Sequence, residues 1–202
     1  MPRPQRLMHP FGDDFSCGLM TCGAGVVRWR GDTRPFLFLE TMIQHPKGFV
    51  SRFVRIARWM VGVVESGGEN RGADVSAIQR MTWLPPGPWP WCAAFVCWCY
   101  AASSLGFRCH GSRPDTPRAF GFEEWGRERA QVIANPSAVM VGDIVMFQFS
   151  HVGIVSAVYA GGRFSSIEGN TNSVGSREGD GVFIRDRALA CVRSLVRLKE
   201  ES

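Results

Sequence analysis

No stretch of this chain stays apolar long enough to cross a bilayer, which takes about 20 residues, so no integral membrane segment is expected. The opening residues MPRPQRLMHPFGDD have no apolar core behind their basic charge and do not read as a secretory signal. The expectation is therefore a chain that is cytoplasmic at synthesis. Lysine tracts and zinc-finger spacings are missing, and the positive charge is scattered arginine. That argues against nucleic-acid binding as the main role. The cysteines, Cys17, Cys22, Cys92, Cys97, Cys99, Cys109 and Cys191, are odd in number and form no regular disulfide framework. Most are expected to be reduced and several buried as small hydrophobes, with a Cys17–Cys22 disulfide left open.

What is present suits one domain with a sizeable core, with or without an extension: 202 residues, 45% of them hydrophobic. That apolar content excludes disorder for most of the chain. The formal net charge of +5 favours loose association with anionic surfaces, whether nucleic acid, phospholipid or an anionic wall polymer.

Residues 1–50 read as an N-terminal extension of unassigned role, in which PFLFLETMI suits either a strand or a short helix. Residues 51–202 read as the main domain. In SRFVRIARWMVGVVES, Phe53, Ile56, Met60 and Val64 fall on one helical face, with Arg52, Arg55 and Arg58 mostly elsewhere. Ser51 is the expected N-cap and Gly67-Gly68 the stop. A short helix is expected from Asp74 to Met81. Pro85, Pro86, Gly87, Pro88 and Pro90 then make a stiff non-helical connection. A helix from Cys92 to about Leu105 follows, closed by Gly106, and another short one in AFGFEEWGRE. DIVMFQF, HVGIVSAVY, RFSSIEG, GVFIRDRAL and CVRSLVRL read as strands. Helices first and closely spaced strands afterwards predict an α+β fold with an antiparallel sheet.

Cys92 stands where the turn PPGPWPW meets the apolar run CAAFVCWCYAASSLGF. A thiol at a helix start meets free N–H groups and the positive end of the helix dipole, which favour thiolate. Such a nucleophile needs a base that can hold the thiolate and later protonate a leaving amine. His151, at the start of HVGIVSAVY, is the best placed of the four histidines. His9, His45 and His110 sit in the N-terminal tail, before a proline and in a loop. Glu168, on the neighbouring strand, can fix the imidazole tautomer. Asn170 can instead orient His151, or support Glu168 and the backbone of the site. The backbone N–H of Cys92 is the natural first oxyanion donor, with Gln79 and Asn70 as weak candidates for the second. Cys97 and Cys99 read as core. Trp89, Trp91 and Trp98 read as core or cleft walls, Trp98 more as core.

At these residues the chain resembles the CHAP amidase/peptidase domains, relatives of the NlpC/P60 peptidases with the papain-like fold. The matching pieces are PWCAAFVCW around Cys92, VGDIVMF, HVGIV at His151 and IEGNTN around Glu168 and Asn170. The lead-in ENRGADVSAIQRMTWLPPGPWPWC is also similar, and the resemblance extends over about residues 52–198. It implies Cys92 as nucleophile, His151 as base, Glu168 as orienting carboxylate and Asn170 as its partner. It implies bacterial peptidoglycan as substrate, cleaved either as an endopeptidase or as an N-acetylmuramoyl-L-alanine amidase through an acyl-enzyme. No cofactor or metal is expected, and HVGIVSAV lacks the HExxH of a zinc peptidase.

A small hydrolase of this kind suits a phage endolysin, a phage structural lysin or an injected bacterial effector, acting at the wall after release or delivery. Two other readings compete. One is a papain-like deamidase or acyltransferase using the same pair; the other is a non-catalytic, wall-binding structural protein. The sequence carries no signal of oligomeric state.

Overall fold

The computed structural model describes residues 48–104 and 113–199. The expectations for residues 1–47, including the Cys17–Cys22 pair, His9 and His45, lie outside the described residues, as do Leu105, Gly106, Cys109 and His110. Among the described residues four α-helices precede the sheet: α1 (Phe49–Trp59), α2 (Ala73–Gln79), α3 (Cys92–Ser103) and α4 (Gly121–Arg129). Six strands follow: β1 (Gln131–Ile133), β2 (Ile144–Phe147), β3 (His151–Tyr159), β4 (Arg163–Thr171), β5 (Gly181–Ala188) and β6 (Val192–Arg197). They form one sheet in the order β1-β6-β2-β3-β4-β5, antiparallel throughout. The fold is α+β with helices packed against an antiparallel sheet, as the order of elements in the sequence predicts.

Helix α3 is the centrepiece. Ala93, Ala94, Phe95, Val96, Cys97 and Cys99 are all fully buried, because α3 packs on α1, α2, β3 and β4 at once. An all-round apolar helix is the sequence signature of such a position. Burying the Phe95 side chain alone contributes about 1.5–3 kcal/mol. Strand β2, all four residues buried, lies inside the sheet between β6 and β3. Strand β5, at the sheet edge, alternates between partly buried and exposed over most of its length. A second cluster of Val139, Val145, Phe147, Val155, Phe164, Val192 and Leu195 binds β2, β3, β4 and β6 together.

Helix α1 differs from its expected bounds at both ends. Phe53, Ile56 and Met60 are buried on one face as expected, but the helix begins at Phe49 with Gly48 as N-cap, leaving Ser51 exposed in its first turn. It stops at Trp59 rather than continuing through Val64. Gly62 adopts a left-handed φ of 92°, and the backbone from Gly62 to Glu65 turns to bond Val182 and Asp180. Sheet pairing thereby replaces the last predicted turns, and Val64 bridges Gly181 at the edge of β5. Arg52, expected on the polar side, is buried, and its guanidinium donates to the Ser103 carbonyl at 3.3 Å. Strand β1, three residues long, has no counterpart in the sequence reading. Among the described residues no helix is long and apolar enough to cross a membrane.

Candidate active site

Three elements converge at one end of α3. The Pro/Trp connection delivers Cys92 as the first residue of the helix, after Trp91 as N-cap. No side chain caps this terminus, so its first-turn N–H groups remain free to face an anion. The connection itself is held by Gln79, whose amide donates to the carbonyls of Gly87 (2.8 Å) and Trp89 (3.0 Å) and accepts from Gly87 N–H (3.1 Å). Gln79 therefore has its amide committed to the loop and is not the second oxyanion donor.

His151 enters from β3. The β2–β3 turn closes through Ser150, whose φ of 58° is left-handed, and the Ser150 N–H bonds the Phe147 carbonyl at 3.2 Å. His151 thus stands directly opposite Phe147, on the same face of the sheet, with ring centroids 6.0 Å apart and near-parallel planes. Glu168 reaches the same place from β4. A Cβ on Gly153 would lie 2.7 Å from Glu168 Cγ and 3.0 Å from the Ile167 carbonyl, so the glycine of the HVG sequence clears the path of the carboxylate.

His151 and Glu168 are fully buried, and Cys92, at 6% exposure, is the member of the three that keeps a solvent-facing edge. Imidazole Nε2 lies 3.1 Å from Glu168 Oε2. The ring nitrogens make no hydrogen bond of straight geometry, so this contact is a bent, chiefly electrostatic one. With Nε2 turned to the carboxylate, Nδ1 is the nitrogen left for the thiol.

The electrostatics follow from this packing. Burial pushes the Cys92 thiol up, but the adjacent His151 charge and hydrogen bond, with the Val152 and Ala93 N–H groups, outweigh it and the thiol pKa falls below its ordinary value. Burial pulls His151 down, and the Cys92 thiolate and Glu168 carboxylate more than reverse this, raising it to about 9. Burial would raise Glu168, yet hydrogen bonds from Arg187 and His151 hold it down at about 2. A thiolate–imidazolium pair braced by an ionised carboxylate is the state these shifts favour. The contrast with Cys97 and Cys99 is direct: buried in the same helix without a cationic ring, both thiols are pushed well up. Cys92, Cys97, Cys99 and Cys191 are all free thiols.

Asn170 is not brought against His151. Its carbonyl oxygen accepts from Trp91 N–H at 3.2 Å, and its NH2 donates to Asn70 Oδ1 and the Gly179 carbonyl, both at 2.9 Å. Of the two roles open to it, the geometry places Asn170 at the backbone that leads into Cys92. Asn70, the other weak oxyanion candidate, is tied into this network through its side chain. Glu65 completes it, accepting from Trp91 Nε1 at 2.8 Å and from Asn70 N–H at 2.7 Å. Trp91 is consequently core, fully buried, whereas Trp89 and Trp98 are half-buried.

Gly169 lets the sheet approach α3: a Cβ there would lie 2.6 Å from Phe95 Cβ and 2.9 Å from Trp91 Cζ3. Beside the network opens a cavity of about 310 Å³, lined in part by Glu65, Asn70, Asn170 and Asp180. Two residues that the sequence reading did not single out, Glu65 and Arg187, hold the site. Their only sequence signal is polarity next to a strand, which surface residues share. No group of three His, Cys, Asp or Glu side chains among the described residues is arranged to hold a metal.

Residues 85–170 match the family model of the CHAP domain, a span that runs from the Pro/Trp connection through Asn170. The match covers less than half of the chain; it is consistent with the NlpC/P60-like, papain-type fold, and CHAP domains are generally cysteine-based hydrolases directed at peptidoglycan. No curated protein and no solved structure matches the chain.

Proposed function

We propose that this protein is a peptidoglycan hydrolase that cleaves an amide or peptide bond of the wall peptide through an acyl-enzyme on Cys92. The observation that carries this reading is the convergence of Cys92, at the uncapped start of α3, with His151, whose Nε2 lies 3.1 Å from Glu168 Oε2; the lowered thiol and raised imidazole agree with it. The CHAP match over the same residues supplies the substrate class.

In the first half-reaction the Cys92 sulfur attacks the scissile carbonyl carbon, and the carbonyl oxygen takes the negative charge. The Cys92 N–H at the free helix terminus is the donor placed to receive that oxyanion. The imidazolium of His151 passes its proton to the departing amine as the C–N bond breaks, leaving a thioester. Water then attacks the thioester, giving a proton to His151, and the Cys92 thiolate leaves as the carboxylic acid product forms. Glu168 keeps the ring oriented and stabilises its charged form in both halves.

The bond is either the one joining N-acetylmuramic acid to L-alanine or a peptide bond of the stem or cross-bridge. Approach to the anionic envelope is favoured by the net positive charge. The site of action is the wall, reached by release or delivery of the kind a phage lysin or an effector undergoes.

The test is incubation of wild type and Cys92→Ala with purified sacculi, followed by mass spectrometry of the released ends. Thiol-dependent release by wild type alone is expected. New N-terminal L-alanine marks an amidase, and new termini within the stem or bridge mark an endopeptidase. Release by neither protein across several wall types would overturn the reading.

A further inference from the structure

Arg187 lies on β5, beyond the residues matched by the CHAP model. Its guanidinium grips Glu168 with two parallel hydrogen bonds, Nε to Oε1 at 2.9 Å and Nη2 to Oε2 at 2.6 Å. The same Oε2 faces His151 Nε2 at 3.1 Å. Behind the fork, the guanidinium carbon lies 5.2 Å from the Phe147 ring centre and 5.3 Å from that of Phe149. Those rings stack on each other, and each stacks on His151. A third bond, Nη2 to the Gly175 carbonyl at 3.1 Å, pins the guanidinium from the loop before β5. Arg187 thus touches the carboxylate directly and the imidazole only through Glu168 and the two phenylalanines.

We infer that Arg187 is a positioning residue of the active site, a clamp that presents one oxygen of Glu168 to His151 and balances its charge. The role rests on the proposed hydrolase reading for its consequence in turnover. A carboxylate that is fully buried between strands needs an opposite charge, and a fork matched to its two oxygens fixes its plane as well. Ser166 Oγ, the other donor to Oε1 at 2.5 Å, supplies no charge. The register places Arg187 opposite Phe164 and Glu168 opposite Phe183, which puts both side chains on one face of the sheet, where their length spans the four positions between them. Finally, the aromatic pair gives the cation a second favourable surface that also borders the histidine.

The charged and titratable groups around Glu168 are His151 from β3, Arg187 from β5 and Cys191 from the turn after β5, with Cys92 from α3 behind His151. Removing the arginine cation leaves a more negative field at the imidazole, so His151 holds its proton to higher pH. A lysine in its place restores the charge without the fork.

The experiment follows the rate of Cys92 alkylation by iodoacetamide, read on the Cys92 peptide by mass spectrometry, from about pH 4 to pH 10 in wild type, Arg187→Gln and Arg187→Lys. The alkaline step of the Arg187→Gln profile, where loss of the imidazolium proton changes the reactivity of the thiolate, is expected to move up by about one unit, and that of Arg187→Lys to stay near wild type. On sacculi both variants are expected to lose about 10- to 100-fold in kcat with little change in KM.

A folded Arg187→Gln whose alkylation profile superimposes on wild type would overturn the inference, as would an Arg187→Lys that turns over like wild type. Should Arg187→Gln fail to fold, Arg187→Lys decides by the same two readouts: wild-type limbs with lowered kcat support the clamp, and wild-type kcat refutes it. Alkylation needs no wall substrate, so a protein inactive on every wall would remove the hydrolase reading while the profile still judged Arg187.

Discussion

Asn70 and Asn170, a hundred positions apart in sequence, share a left-handed backbone φ of 55° and a side-chain hydrogen bond of 2.9 Å. Each left-handed turn aims its amide inward, and together they hold the Trp91 backbone from which α3 starts. Asparagine is among the few residues other than glycine that adopt this conformation readily. Position and side-chain chemistry are thus demanded at once.

Replacing Asn170 by alanine removes bonds to Trp91 N–H, Asn70 and Gly179 and leaves a buried N–H without a partner. The expected loss is about 2–4 kcal/mol of stability, read as a lower midpoint in urea unfolding. Cys92 alkylation should slow as well, because the start of α3 loses its anchor.

Gly169→Ala should destabilise by about 1–3 kcal/mol, since the new methyl meets Phe95 and Trp91 below 3 Å. Thermal unfolding checks this. A variant as stable as wild type would mean that β4 and α3 can separate without penalty.

Thiol reactivity should be selective. Burial pushes Cys97 and Cys99 up, while Cys92 is lowered. Near neutral pH, iodoacetamide is expected to label the Cys92 peptide well before the peptide positions of Cys97 and Cys99. His151→Ala should remove that preference, because the charge that opposes burial is then gone.

The pH dependence of cleavage should be bell-shaped. Below the acid limb Cys92 is protonated and inert; this limb lies under the ordinary thiol value of about 8.5. Above the alkaline limb His151 has lost the proton it must give the leaving amine. That limb lies above the ordinary imidazole value, toward pH 9.

Acid sensitivity should trace to Glu168. Its carboxyl is depressed to about 2 in the folded protein, against about 4.3 in an unfolded chain. The stability it confers is therefore present above the unfolded value and is lost as pH falls toward 2. The melting temperature of Glu168→Gln should fall less steeply with acid than that of wild type, from a lower starting point because Arg187 loses its partner.

Much was legible in the chain itself. The β3 boundaries follow from HVGIVSAVY, whose β-branched residues end in turn glycines, and the start of α3 follows from a proline run that cannot be helical. Residue chemistry also singled out Cys92, His151 and Glu168: a thiol at a helix start, an imidazole at a strand start and a carboxylate one hairpin further on. Those are local signals, set by backbone geometry and side-chain type within a few residues.

What tertiary structure alone decided is everything that depends on distant partners. Helix α1 stops at Trp59 because β5 captures Gly62 to Glu65, a competition that no helical periodicity reveals. Gln79 could have served the oxyanion and Asn170 could have oriented His151; the loop at Gly87 and the amide of Trp91 took them. Arg187 and Glu65 look like surface charge in sequence, and become parts of the site only when β5 and the segment after α1 fold against β4 and α3. A hydrogen bond or ion pair has no sequence period, so its partners are fixed only when packing has removed water from between them.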